Sequence, residues 1–125
     1  MRLDKFTIKA QEAIQSAIEL AQDSNQQQVD SEHLLSALLN QEESLISEVL
    51  ASIGINTAQL SRQVKEDLES RPKVYGKGAD AHLSSRLSQV LHNVQEQAKQ
   101  LNDEFVSVEH LFLALLEEKS AVLVK

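Results

Sequence analysis

The sequence has no cysteine, which removes disulfide frameworks, thiolate catalysis and Cys-ligated zinc together and suits a reducing compartment. No apolar run approaches the roughly 18 residues of a membrane span, and the opening Met1-Arg-Leu-Asp-Lys5 lacks the apolar core of a signal peptide. A cytoplasmic protein away from the membrane is therefore expected. Positive charge is scarce: 12 Lys and Arg against 19 Asp and Glu leave a net charge of −7, and no basic cluster offsets it locally. Such a surface repels phosphate backbones, so nucleic acid is not an expected partner. With one proline, three glycines and no tryptophan, little interrupts helices, and the abundant Gln, Leu, Ala and Glu favour them throughout. A chain of 125 residues fits one domain with its own core, and the expected fold class is all-α.

What the chain does contain is one helix start written twice. Val29-Asp-Ser-Glu-His-Leu-Leu-Ser-Ala-Leu-Leu39 returns as Val106-Ser-Val-Glu-His-Leu-Phe-Leu-Ala-Leu-Leu116. Each copy opens with a short polar residue, Asp30 or Ser107, able to accept from free backbone N–H groups. Glu32 or Glu109 follows where the helix dipole favours an anion. The same offset of 77 places Leu83, Ser84, Leu87, Val90, Leu91, Val94 and Ala98 on Phe6, Thr7, Ala10, Ala13, Ile14, Ala17 and Ala21. Asn25 meets Asn102 without a gap. An internal duplication is the economical explanation.

Within the first copy, apolar residues from Phe6 to Ala21 at spacings of three and four predict a helix capped by Thr7, ended by the polar run Asp23 to Gln28 through side-chain competition for backbone bonds. A second helix starts at Asp30. Leu45, Ile46, Val49, Leu50 and Ile53 mark a third, stopped by Gly54. Asn56 or Thr57 caps a fourth with Leu60, Val64 and Leu68 inward, until Arg71-Pro72 ends it. The expected organisation is one domain over 1–125: repeat one at about 4–70, a linker at about 71–82 that is expected to be mobile, and repeat two at about 83–125. Lys125 falls on Glu48, early in the first copy's third helix, so the second repeat is expected to be incomplete and the natural chain to continue.

Candidates for chemistry are sparse. Adjacent Glu and His on a helix point about 100° apart, and neither copy carries His-Glu-x-x-His or another ligand spacing, so no metal is expected. The bland reading is that Glu32 and Glu109 stabilise helix starts and that His33 and His110 seal helix interfaces. The many serines have no nearby catalytic arrangement of His and acid, Gly76-Lys-Gly78 falls far short of a phosphate loop, and no catalytic site is expected. Two similar halves packed about a pseudo-twofold axis leave a groove at their junction that, if apolar with a polar rim, can hold a peptide segment; the alternative, which composition alone favours, is that every apolar stripe is used up in the core.

These residues resemble the Clp amino-terminal domain, a double repeat of four-helix units that precedes the ATPase rings of Clp unfoldases. The resemblance is carried by the opening Met-Arg-Leu-Asp-Lys-Phe-Thr7 with its Ala-rich helix, the two Val-x-x-Glu-His-Leu starts, the Gly54-Ile-Asn56 stop and Leu83-Ser84. It covers essentially the whole chain. Met1-Arg-Leu-Asp4 and the Arg71-Pro-Lys-Val-x-Gly-x-Gly78 linker look more like the ClpB, or disaggregase, branch than like ClpA or ClpC. The resemblance implies a non-catalytic domain that binds unfolded or aggregated polypeptide weakly and feeds it to an AAA+ ring. ATP and magnesium would belong to modules outside this sequence, which holds no Gly-x-x-x-x-Gly-Lys-Ser/Thr. It further implies a homohexamer for the longer protein, a monomer for the isolated domain, and cooperation with a DnaK-type chaperone. Thr7, Asp103 and Glu109 match polar positions around the family's substrate groove, and Leu91 would supply apolar wall. Asn93 and His110 are polar where such a groove could be greasier. The alternative within the family is an adaptor-docking domain of the ClpA or ClpC kind.

Overall fold

The computed structural model describes residues 5–42, 44–74 and 81–117. In chain order these form α1 (Ile8–Asp23), β1 (Gln28–Val29), α2 (Ser31–Leu39), α3 (Leu45–Ser52), α4 (Thr57–Glu69), β2 (His82–Leu83), α5 (Ser85–Gln100) and α6 (Val108–Glu117). The centre of the expected linker, 75–80, and the tail 118–125 lie outside the described residues, and with them the expectations of a mobile connection and an incomplete end of repeat two.

Helix ends follow from side chains at their boundaries. Thr7 Oγ1 accepts from the Ala10 N–H at 3.2 Å, and Ser84 Oγ accepts from Leu87 at 3.0 Å, so α1 and α5 start alike. They also stop alike, though not by side-chain competition. Asn25 (φ 58°) and Asn102 (φ 60°) take the left-handed conformation that asparagine tolerates. The chain then folds back: Gln26 N–H reaches Ala21 C=O at 2.8 Å, and Asp103 N–H reaches Ala98 C=O at 2.9 Å. Each of these bonds satisfies a carbonyl that a helix end leaves open. Gly54 (φ 90°) closes α3 by the same device, with Ile55 N–H on Leu50 C=O at 3.0 Å. Of the two candidates for the α4 cap, Asn56 performs it, accepting from Gln59 N–H at 3.0 Å.

The twin helices α2 and α6 pack against each other at the centre, with α1 and α5 laid against both repeats. Leu34, Leu35, Leu38, Leu111 and Leu115 are almost fully buried; each such side chain contributes on the order of 1.5–3 kcal/mol of transfer free energy. Short parallel pairings tie the halves crosswise. Val29 pairs with Leu83 and Phe6 with Val106, so each repeat's entry segment is held by the other repeat's strand residue. Ser84 N–H donates to Val29 C=O and Thr7 N–H to Val106 C=O, both at 2.9 Å. The repeats interlock rather than sitting as two beads.

One helix departs from its expected pattern. All five large apolar residues of the third helix mark one element, but only Ile46 and Leu50 face the core, while Leu45, Val49 and Ile53 stand exposed. Among the described residues, this eight-residue helix leaves its second apolar row uncovered.

Candidate functional site

The two copies of the helix start have become different sites. At α2, Asp30 caps the helix and the His33 ring reaches back: Nδ1 accepts from the Asp30 N–H at 2.9 Å and Nε2 donates to Gln26 Oε1 at 2.6 Å. The Gln26 amide then donates to the C=O of Leu68, near the end of α4. A ring nitrogen that accepts from an amide is unprotonated, so His33 is the neutral Nε2–H tautomer. Burial, reinforced by the charge of Arg71, pushes its pKa down to about 4.

Glu32, 1% exposed, is more than a helix-dipole anion. It accepts from Arg71 Nη2 at 2.6 Å and from Arg86 Nη2 at 2.8 Å. Arg71 also donates to Asp30 Oδ2 at 2.6 Å and to Asp67 Oδ2 at 3.0 Å, and Ser84 Oγ donates to Asp30 Oδ1 at 2.8 Å. Burial by itself raises the Asp30 pKa, yet Arg71, the Ser31 N–H, Ser84 and Arg86 outweigh it and hold the carboxyl below its usual range. Arg71, which the sequence pattern assigns to the linker, is thus a bolt from the end of α4 into the α2 start. Arg86, on α5, adds a bolt from the other repeat.

At α6 the same frame stands open. His110 Nδ1 accepts from the Ser107 N–H at 3.0 Å, and Nε2 donates to Asp103 Oδ2 at 2.8 Å, a carboxylate where repeat one has the Gln26 amide. Glu109, the counterpart of Glu32, is exposed. Among the described residues it has no ion pair, and Lys9, the counterpart of Arg86, instead donates to the Glu42 carbonyl at 3.3 Å. Thr7 joins this neighbourhood through its bond to Val106, next to Ser107. Beside it a groove of about 580 Å³ runs between α5 and the 103–106 turn, lined by Lys5, Gln95, Lys99, Asp103 and half-exposed Phe105.

Of the six residues named from the sequence, Thr7, Asp103 and His110 are brought together by these bonds, with Glu109 on the same first turn of α6. Leu91 and Asn93 stand apart. Leu91 is buried in the core, as its periodicity indicates; Asn93 is exposed and accepts from Gln89 at 2.9 Å.

Ser107 Oγ lies 2.8 Å from His110 Nδ1, with Asp103 on the opposite ring nitrogen. Repeat one builds the same frame from Asp30, His33 and Gln26, which holds no nucleophile, and the nitrogen that would serve as base already accepts a backbone N–H. The arrangement is a helix cap. Among the described residues no group of three or more His, Asp or Glu is placed to hold a metal, and no helix is long and apolar enough to cross a membrane. Sequence reasoning missed Gln26, Arg71 and Arg86. The pairing of Gln26 with Asp103 and of Arg86 with Lys9 at the offset of 77 was the available signal, but nothing local places Arg71 beside residues some forty positions earlier.

The Clp repeat (R) N-terminal domain family matches residues 5–125. The chain is 38% identical over 122 residues to chaperone protein ClpB of Bacteroides thetaiotaomicron, covering 98% of this chain and 14% of that protein. It is 40% identical over 126 residues to ClpB of Nitratidesulfovibrio vulgaris, covering 98% and 15%. It spans about a seventh of the length of these relatives. Among solved structures, the Hsp104 N-terminal domain from Candida albicans superposes with a TM-score of 0.83 at 26% identity, over 90% of this chain and 74% of that one.

Proposed function

The chain belongs to the Clp repeat (R) N-terminal domain family, and from that premise we propose that it is the polypeptide-engaging domain of a ClpB-type disaggregase. It binds unfolded or aggregated chains weakly at the open α6 start, around Thr7, Asp103, Glu109 and His110, and delivers them to an ATP-driven ring. The observation that carries this reading is the asymmetry between the repeats: Asp30 and Glu32 are consumed by arginines of the same chain, whereas Asp103 and Glu109 face solvent beside a groove. The rim carries Asp103 and the nearby Glu109 together with Lys5 and Lys99 around exposed Phe105, which suits segments that mix charged and apolar side chains. Leu91 has no direct part in this surface, and Asn93 lies off it.

In the longer protein, AAA+ modules would supply the ATP and magnesium chemistry, assembled as a homohexamer and served by a DnaK-type chaperone in the cytoplasm. This domain adds contact and no bond-making step. Weak contact suits release, and several copies on one ring raise the effective concentration of the bound segment.

Titrating an unlabelled, permanently unfolded protein into the isotope-labelled chain tests the reading. Amide shifts are expected at Thr7, Val106, Asp103 and Glu109, and Glu109→Ala is expected to weaken binding several-fold without changing the circular dichroism spectrum. Shifts confined to α4 would end it. Binding of one folded partner at unit stoichiometry, with no response to unfolded chains, would favour adaptor docking instead.

A further inference from the structure

α3 is apolar on two sides, and the fold uses one. Leu45, Val49 and Ile53 repeat at a spacing of four, so they form a single row along the helix. They are 43%, 46% and 67% exposed, and Ile55, just past the Gly54 turn, extends the row. At about 1.5 Å per residue the row is roughly 12 Å long. Single exposed apolar residues are ordinary, but an aligned row on a surface helix marks an interaction site. The helix itself does not require it. Ser44 caps the start, the Gly54 turn closes the end, and Ile46 and Leu50 supply the deepest burial, so the ends of the helix are set without the row at 45, 49 and 53.

Charge indicates the occupant. Residues 44–56 contain no Lys or Arg, whereas Glu48 sits exposed on the helix and Glu42 is exposed just before it. The chain as a whole carries −7. A second copy would bring Glu42 and Glu48 against their own duplicates, while a cationic partner would meet opposite charge. Lys9 donates to the Glu42 carbonyl at 3.3 Å. We propose that the Leu45–Val49–Ile53 row is a second docking surface, taking short polypeptide segments in which apolar residues alternate with lysine or arginine. The inference rests on the polypeptide-binding reading above but lies on a different helix from Thr7, Asp103 and Glu109, so a substrate chain could touch the domain at two places.

The probes are two synthetic peptides of equal length, one of Leu and Lys and one of Leu and Glu, titrated into the isotope-labelled chain. The Leu/Lys peptide is expected to shift amides from Leu45 to Ile55, and the Leu/Glu peptide to bind roughly tenfold more weakly. The triple variant Leu45→Ser, Val49→Ser, Ile53→Ser is expected to lose those shifts while keeping a folded circular dichroism spectrum and its response at Glu109. Equal binding of both peptides, or undiminished binding to the triple variant, overturns the proposal. So does sedimentation showing that the wild-type chain dimerises through this row. Shifts confined to Thr7, Asp103 and Glu109 sink the α3 surface and leave the proposed function standing. Silence at both sites sinks both.

Discussion

The starts of α2 and α6 share a cap, an acid, a histidine and an apolar run, yet one is sealed and the other open. At α2 the acid is buried and held by Arg71 and Arg86, and at α6 its counterpart faces water. The difference comes from neighbours rather than from the motif. Arg71 stands at the end of α4, which packs across α2, and Arg86 reaches over from α5; the α6 start has Lys9 in the equivalent place, turned to another partner. A duplicated element keeps its folding role in both copies while only the uncovered copy is available to a partner.

The largest effect that could break this comparison is at the acids. Glu32→Ala leaves two guanidinium groups facing a depleted site and is expected to lower stability by about 3 kcal/mol, the lower end for disrupting a buried pair because Arg71 is partly exposed. Glu109→Ala should stay within about 0.5 kcal/mol, as surface changes do. Urea unfolding of both variants decides; equal shifts of the midpoint would erase the distinction.

The pH response is next. His33 titrates at about 4 when folded against an ordinary 6.5, so between those values the unfolded chain binds the extra proton. Stability is therefore full above about pH 6.5 and falls as pH drops toward 4, by about 2–3 kcal/mol in all. Asp30, held below its ordinary value, adds a further loss as pH falls below about 3.8, because its charged form is the one the fold favours. Urea midpoints at pH 7, 5.5 and 4.5 should decline for the wild type, and His33→Gln should flatten the decline. A slope that His33→Gln leaves intact would place the proton elsewhere.

The smallest effect sharpens the comparison where the repeats agree. Asn25→Ala and Asn102→Ala each force an ordinary side chain into a left-handed turn, at a cost of about 1 kcal/mol. Thermal unfolding should show matching losses, and replacement by glycine at either position should show none. A large difference between the two would mean that the helix ends, too, have diverged.

Much of the fold was legible in local chemistry. Thr7, Ser84, Asn56 and Gly54 act where capping and turn preferences put them, and the offset of 77 paired the two Asn turns before any contact was known. The candidate site was legible in part. Asp103, His110 and Thr7 do converge, because a helix cap and a short strand bridge bring them to one place. Leu91 has a side chain that periodicity already committed to the core, and Asn93 points away on the same helix. α3 shows the limit most plainly: Leu45 and Ile46 have nearly the same hydropathy, and only the position of the neighbouring helices separates a core residue from a surface one.

Composition and periodicity alone determined that this chain is helical and duplicated, with matching starts and stops in its two halves, because caps and apolar stripes act within a few residues of themselves. Only the tertiary structure decided that the halves interlock through Phe6–Val106 and Val29–Leu83, and that Arg71 closes one copy of the motif while the other stays open. Those contacts join residues 39 to 100 positions apart, and pairing over such distances is set by how the helices pack, which no local pattern records.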